Sequence, residues 1–110
     1  MAKRNLSQAS SCPFELAMDL VGGKWKGVIL YRLMDKPKRF SELKQSITGI
    51  SDRMLSLALK ELELEQDRLL LKDTEARCYQ LSELAEFLRP AYLAMDEWGR
   101  QYQQRCAECE

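Results

Sequence analysis

The sequence predicts a mainly α-helical domain with one small β-hairpin, in which a helix-turn-helix runs directly into the hairpin. Three observations carry this class. Residues 40–65 read as two helices separated by Thr48-Gly49. Residues 69–81 hold two short apolar runs on either side of Thr74-Glu75-Ala76. The segments before and after repeat apolar residues at helical spacing.

Within the central stretch, Ser41 is placed to cap the first helix, with Glu42 against the positive end of its dipole. Leu43 and Ile47 share one face. Gly49 supplies the break, because glycine tolerates a positive φ. Ser51 caps the second helix, and Ile50 and Leu55 occupy the positions of a hydrophobic staple. Leu55, Ala58, Leu59 and Leu62 form one apolar face, whereas Ser51, Asp52, Arg53, Ser56 and Lys60 lie largely elsewhere. A short helix, a glycine turn and a capped helix with small polar and basic residues near its start match a DNA-binding helix-turn-helix. Arg53 is then placed to donate two hydrogen bonds to a guanine. On this stretch alone, an ordinary helical hairpin fits equally well.

Residues 1–11 are polar and aperiodic, and are expected to form a mobile arm carrying Lys3 and Arg4. Pro13 at the first helical position opens a helix with Phe14, Leu16, Ala17, Leu20 and Val21 on its apolar face. Gly22-Gly23 stops it. The next helix, from Lys24, is apolar on several sides and should cross the centre of the domain. Asp35-Lys36-Pro37 ends it, and Lys36, Lys38 and Arg39 form a basic cluster before the helix-turn-helix. Leu69–Asp73 and Arg77–Leu81 predict an antiparallel hairpin. Ser82 caps a final segment whose stripe runs through Leu84, Phe87, Leu88, Tyr92, Met95 and Trp98, with Pro90 breaking or kinking it. One small domain cannot easily cover Tyr92, Met95, Trp98 and Tyr102. The stripe therefore predicts either a two-fold homodimer or a helix folded back on its own chain. The domain proper is expected over 12–99, with 100–110 as the helix end or tail.

At 110 residues there is room for one domain. No apolar run can span a bilayer and no signal-peptide core is present, so a cytoplasmic protein with reduced cysteines and no membrane partner is expected. The formal net charge is zero, yet residues 1–60 hold 11 Lys and Arg against 5 Asp and Glu, and residues 61–110 hold 6 against 12. Such polarity fits a basic face for phosphate. There is no His, no glycine-rich phosphate loop and no paired carboxylate motif, so an enzyme is not expected. Cys106 and Cys109 have Cys-x-x-Cys spacing without a second pair, which speaks against a closed zinc site and leaves a thiol oxidoreductase as a weak alternative. No metal or other cofactor is expected. Cys12, at the start of the first helix, is either a thiol favoured as thiolate by the dipole or a small buried residue.

The order of Cys12-Pro13, Gly22-Gly23-Lys24-Trp25-Lys26, Arg39-Phe40-Ser41-Glu42-Leu43, Gly49-Ile50-Ser51, Leu59-Lys60-Glu61-Leu62, Leu88-Arg89-Pro90 and Glu97-Trp98-Gly99 resembles the HxlR-type winged helix-turn-helix transcriptional regulators, relatives of the MarR-type repressors. The resemblance implies a sequence-specific repressor that binds paired half-sites as a homodimer through its N- and C-terminal helices. It implies DNA contacts from Lys38, Arg39, Ser51, Asp52, Arg53, Ser56, Lys60 and Arg77, the last on the hairpin as a wing. It places Phe14, Leu88, Tyr92, Met95, Trp98 and Tyr102 in the dimer interface. It also implies a response to oxidants or electrophiles through Cys12. The chain departs from the family pattern at three places. The glycine that follows the recognition helix is missing from residues 64–68, the wing lacks its prolines and carries Asp73 and Glu75, and Leu57 stands at a position that is usually polar. Leu57 either touches a thymine methyl or adds to the core. Asp52 needs a cytosine amino group or a nearby cation to be tolerated at DNA. An acidic wing and a neutral total charge leave open an adaptor that binds protein and has weak or no DNA binding.

Overall fold

The structure is a computed structural model that describes residues 12–64 and 68–109. The expected N-terminal arm and the helix end at Glu65 lie outside the described residues.

The first helix, α1 (Pro13–Val21), starts on Pro13 and stops at Gly22, whose N–H donates to the Met18 carbonyl at 2.8 Å. A side chain at Gly22 would put its Cβ 2.5 Å from that carbonyl oxygen, so the stop needs glycine. Helix α2 (Lys24–Leu33) runs through the core as expected, burying Ile29, Leu30 and Leu33. A two-residue strand, β1 (Lys38–Arg39), leads into α3 (Phe40–Ser46). The helix begins two residues earlier than Ser41 capping would give. Arg39 holds the cap position, because Glu42 reaches back and accepts its N–H at 2.8 Å.

Gly49 has φ +87°, the left-handed conformation that the turn required. Ser51 then accepts the Met54 N–H on its Oγ at 3.1 Å and opens α4 (Asp52–Leu64). Leu55, Ala58, Leu59 and Leu62 are buried, which is the face read from the spacing, and Ile50 is buried beside them.

Strands β2 (Leu70–Asp73) and β3 (Cys78–Leu81) form the hairpin, with Leu70 opposite Leu81 and Lys72 opposite Tyr79. A third strand was not expected. β1 pairs with β3, Lys38 opposite Tyr79, giving a sheet ordered β1-β3-β2. Two residues are too short to show alternation, so only the pairing reveals the strand.

Ser82 caps α5 (Glu83–Glu86) by accepting the Ala85 N–H at 3.2 Å. Pro90 does break the stripe. The chain leaves the helix at Phe87-Leu88 and re-enters it as α6 (Arg89–Cys109), with Pro90 in the first turn, where a missing N–H costs nothing. α6 continues past residue 100, and Cys106 and Cys109 sit on its last turns.

Arg68 has φ +49°. It is a non-glycine residue in the left-handed region shortly after the helix that ends at Leu64, and it bears the steric cost of a Cβ there. Arg68→Gly is expected to stabilise the protein by about 0.5–1 kcal/mol, a rise of a few degrees in Tm by calorimetry. A fall in Tm would show that the arginine side chain contributes more than its backbone costs.

Candidate nucleic-acid interface

The second helix of the motif, α4, is held from behind. Its buried leucines join a core that includes Ile29, Leu30, Leu33 and Leu43. An ion pair between the Lys26 ammonium and the Glu61 carboxylate, at 3.1 Å, ties α2 to α4. Both groups are partly shielded, so the pair restrains α4 more than a surface bridge would.

On a helix turning about 100° per residue, Arg53, Leu57, Lys60 and Leu64 share the ridge opposite the buried face. All four are exposed. Leu57 is therefore not extra core: its side chain is 51% exposed. Ser51 and Ser56 are also exposed, although the Ser51 hydroxyl is engaged as the helix cap. Asp52 meets the cation that its position demanded. The Lys44 ammonium on α3 lies 3.7 Å from its carboxylate. Lys44 was not among the expected site residues. Its only signal in the sequence is an opposite charge across the glycine turn.

The basic cluster before the motif splits. Alternation in β1 turns Arg39 outward and Lys38 inward. Lys38 is 9% exposed. Its ammonium donates to the Arg32 carbonyl at 3.0 Å and lies 3.6 Å from the Asp35 carboxylate. Of the expected DNA contacts, Lys38 is therefore placed inward, its ammonium closing the turn after α2.

In the hairpin tip, Asp73 accepts the N–H groups of Glu75 and Ala76 at 3.0 and 3.1 Å. One of the two tip carboxylates is therefore turned into its own loop, where it builds the turn. Arg77 is exposed with φ +55°, next in the chain to Cys78, which pairs with Arg39 across the sheet. The two arginines thus stand at one end of the β1–β3 pair.

The expected interface residues also divide. Phe14 and Met18 on α1 are exposed, and α1 buries no residue at all in the isolated chain. Met95, Trp98 and Tyr102 are exposed along α6, with the Trp98 and Tyr102 rings stacked at 5.4 Å. Leu88 is half-buried against the core. Tyr92 differs from them: at 7% exposure it packs in the core of its own chain. Its hydroxyl is buried with no hydrogen-bond partner among the described residues, and burial pushes the phenol up to about 12. Cys12 is exposed immediately before Pro13, and its carbonyl accepts the Leu16 N–H at 3.0 Å. Among the described residues, no group of three His, Cys, Asp or Glu side chains is placed to hold a metal, and no helix is long and apolar enough to cross a membrane.

A model of the family described as HxlR-like helix-turn-helix matches residues 20–107. The chain belongs to the HxlR-like helix-turn-helix family. This HxlR-like chain is 40% identical over 102 residues to the HTH-type transcriptional regulator YdeP of Bacillus subtilis, covering 90% of this chain and 80% of that one. It is 39% identical over 95 residues to the HTH-type transcriptional regulator YodB of the same organism, covering 83% and 85%. Among solved structures, the redox regulator HypR in its reduced form superposes with a TM-score of 0.75 at 34% identity, covering 88% of this chain and 99% of that one. Quinone-bound YodB superposes with a TM-score of 0.69 at 38% identity, covering 82% and 99%. The HxlR-like chain is a winged helix-turn-helix transcriptional regulator, with β2 and β3 as the wing.

Proposed function

We propose that this regulator binds promoter DNA in the cytoplasm as a two-fold homodimer and represses by occupying paired half-sites. In this reading α4 enters the major groove. Arg53 reads a guanine, Ser56 and Lys60 contact the same groove wall, and Arg39 and Arg77 hold the flanking phosphates. The carrying observation is the two-sidedness of α4: four buried residues behind, and an exposed ridge with Arg53 and Lys60 in front. An adaptor without DNA binding would not need the capped, cation-bearing end of α4 to be open while Lys44 neutralises Asp52 beside it. The dimer is supported by α1 and α6, which leave Phe14, Met18, Met95, Trp98 and Tyr102 exposed, large apolar side chains that a partner helix would cover.

Selection of bound fragments from random DNA, followed by gel-shift titration, tests the reading. Arg53→Ala is expected to cost about 1–3 kcal/mol and to relax the preference at one base pair per half-site. Arg39→Ala is expected to weaken all sequences alike and to reduce the salt slope by about one. Full affinity in both variants would exclude this docking.

Regulation is proposed to act through Cys12. Its exposure at the start of α1 supports this, as does likeness to HypR, solved in reduced and oxidised forms, and to YodB, solved with quinone bound. Diamide is expected to release DNA from the wild type and not from Cys12→Ser. Equal release from both would exclude Cys12 as the sensor.

A further inference from the structure

Resting on that docking, we propose that Leu57 is a specificity-determining residue that packs on the C5-methyl group of a thymine next to the guanine read by Arg53. Leu57 is a large apolar side chain, half exposed, on a ridge that otherwise opens with arginine and continues with lysine. The core-facing positions of α4 are already filled by Leu55, Ala58, Leu59 and Leu62, so Leu57 has no packing role behind the helix. It lies one turn beyond Arg53 and one turn before Lys60, between two side chains that a duplex attracts. When the helix is seated, Leu57 must lose its water to whatever the groove presents there.

Along the major-groove base edges the thymine methyl is the apolar group that projects towards a side chain. A leucine pressed on the cytosine amino group or the adenine N6 leaves a donor without water or acceptor. Pressed on a methyl, it removes apolar surface from water on both sides. The distance along the groove follows from the helix. One turn advances about 5.4 Å, against about 3.4 Å per base along a strand, so the thymine falls one or two base steps from the guanine. Affinity for that base comes from a single methyl contact, worth about fourfold per half-site.

The test uses full-length protein and the fragment selected from random DNA. Each thymine is replaced in turn by deoxyuridine, which removes only the methyl. In the wild type, one symmetric pair of positions, one or two steps from the base pair that Arg53→Ala relaxes, is expected to lose about fourfold per half-site. Leu57→Ala is expected to bind the thymine and uracil fragments equally, and Leu57→Gln to shift the preference at that position towards adenine. Thermal unfolding of both variants should match the wild type, because the side chain is exposed. The proposal is overturned if the wild type binds its selected site with no uracil-sensitive position, or if Leu57→Ala keeps the same sensitivity. If Arg53→Ala still acts in that case, the docking stands and only the role of Leu57 is lost. If no fragment is selected at all, both fall together.

Discussion

Replacing Trp98 with glutamate is expected to convert the protein to monomers and to weaken binding to a two-half-site operator by about 100-fold or more. Trp98 is 66% exposed on α6 and stacks on Tyr102, with Met95 one turn before it. A carboxylate there would have to be desolvated opposite its own symmetry mate in the proposed dimer, at a cost that apolar contacts cannot repay. The effect on DNA is larger than any single base contact because the second half-site is bound at an effective concentration set by the first. Sedimentation velocity and gel-shift titration read the two consequences separately. Because the side chain is exposed, the variant should keep its circular dichroism spectrum. A variant that stays dimeric with unchanged affinity would place the interface elsewhere.

Tyr92→Phe is expected to stabilise the protein by about 1–3 kcal/mol. The hydroxyl is buried without a partner among the described residues, so removing it relieves a desolvation cost and leaves the ring packing in place. The residue lines an open groove between α1, α2 and α6, and its ring packs against the core. The same residue governs alkaline stability. With the folded phenol pushed up to about 12 from an ordinary 10, both states are neutral below pH 10 and the folded chain is fully stable. Between pH 10 and 12 the unfolded chain gives up the proton first, so stability falls by about 2–3 kcal/mol as pH rises through that window. Denaturant melts of wild type and Tyr92→Phe across it should show this component vanish in the variant. A lower Tm for Tyr92→Phe would mean that the hydroxyl is hydrogen-bonded in solution.

Most of the reading helix was legible because its signals are local. The Ser51 cap, the glycine at φ +87° and the four buried positions of α4 each depend on residues within a few places of one another. The break at Pro90 was legible for the same reason. What escaped depends on pairings distant in the chain. β1 exists because Lys38 and Arg39 find Tyr79 and Cys78 some 40 residues on. That pairing decides which of two adjacent cations faces solvent, so a basic run could not tell Lys38 from Arg39. Tyr92 shared its spacing with Met95 and Trp98 and was assigned to the same surface. Only the placement of α2, with Gly27 about a Cβ contact from its hydroxyl, brings it inside. Lys44 was missed because its partner, Asp52, becomes a neighbour only after the turn closes.

The interruption between α5 and α6 sets how the two reading heads can be spaced. Two residues, Phe87 and Leu88, join the wing-side unit to the long α6 rod, and no helical hydrogen-bond ladder crosses them intact. Turn bonds from the Phe87 and Leu88 N–H groups to the Leu84 and Ala85 carbonyls hold the joint, and the tilt of the rod rests as well on what Leu88 and Tyr92 pack against. In the proposed dimer, a small change of footing at this joint swings the distant head through a wide arc, so chemistry at the rod's contacts can put two recognition helices out of step with the pitch of a duplex while each head stays folded.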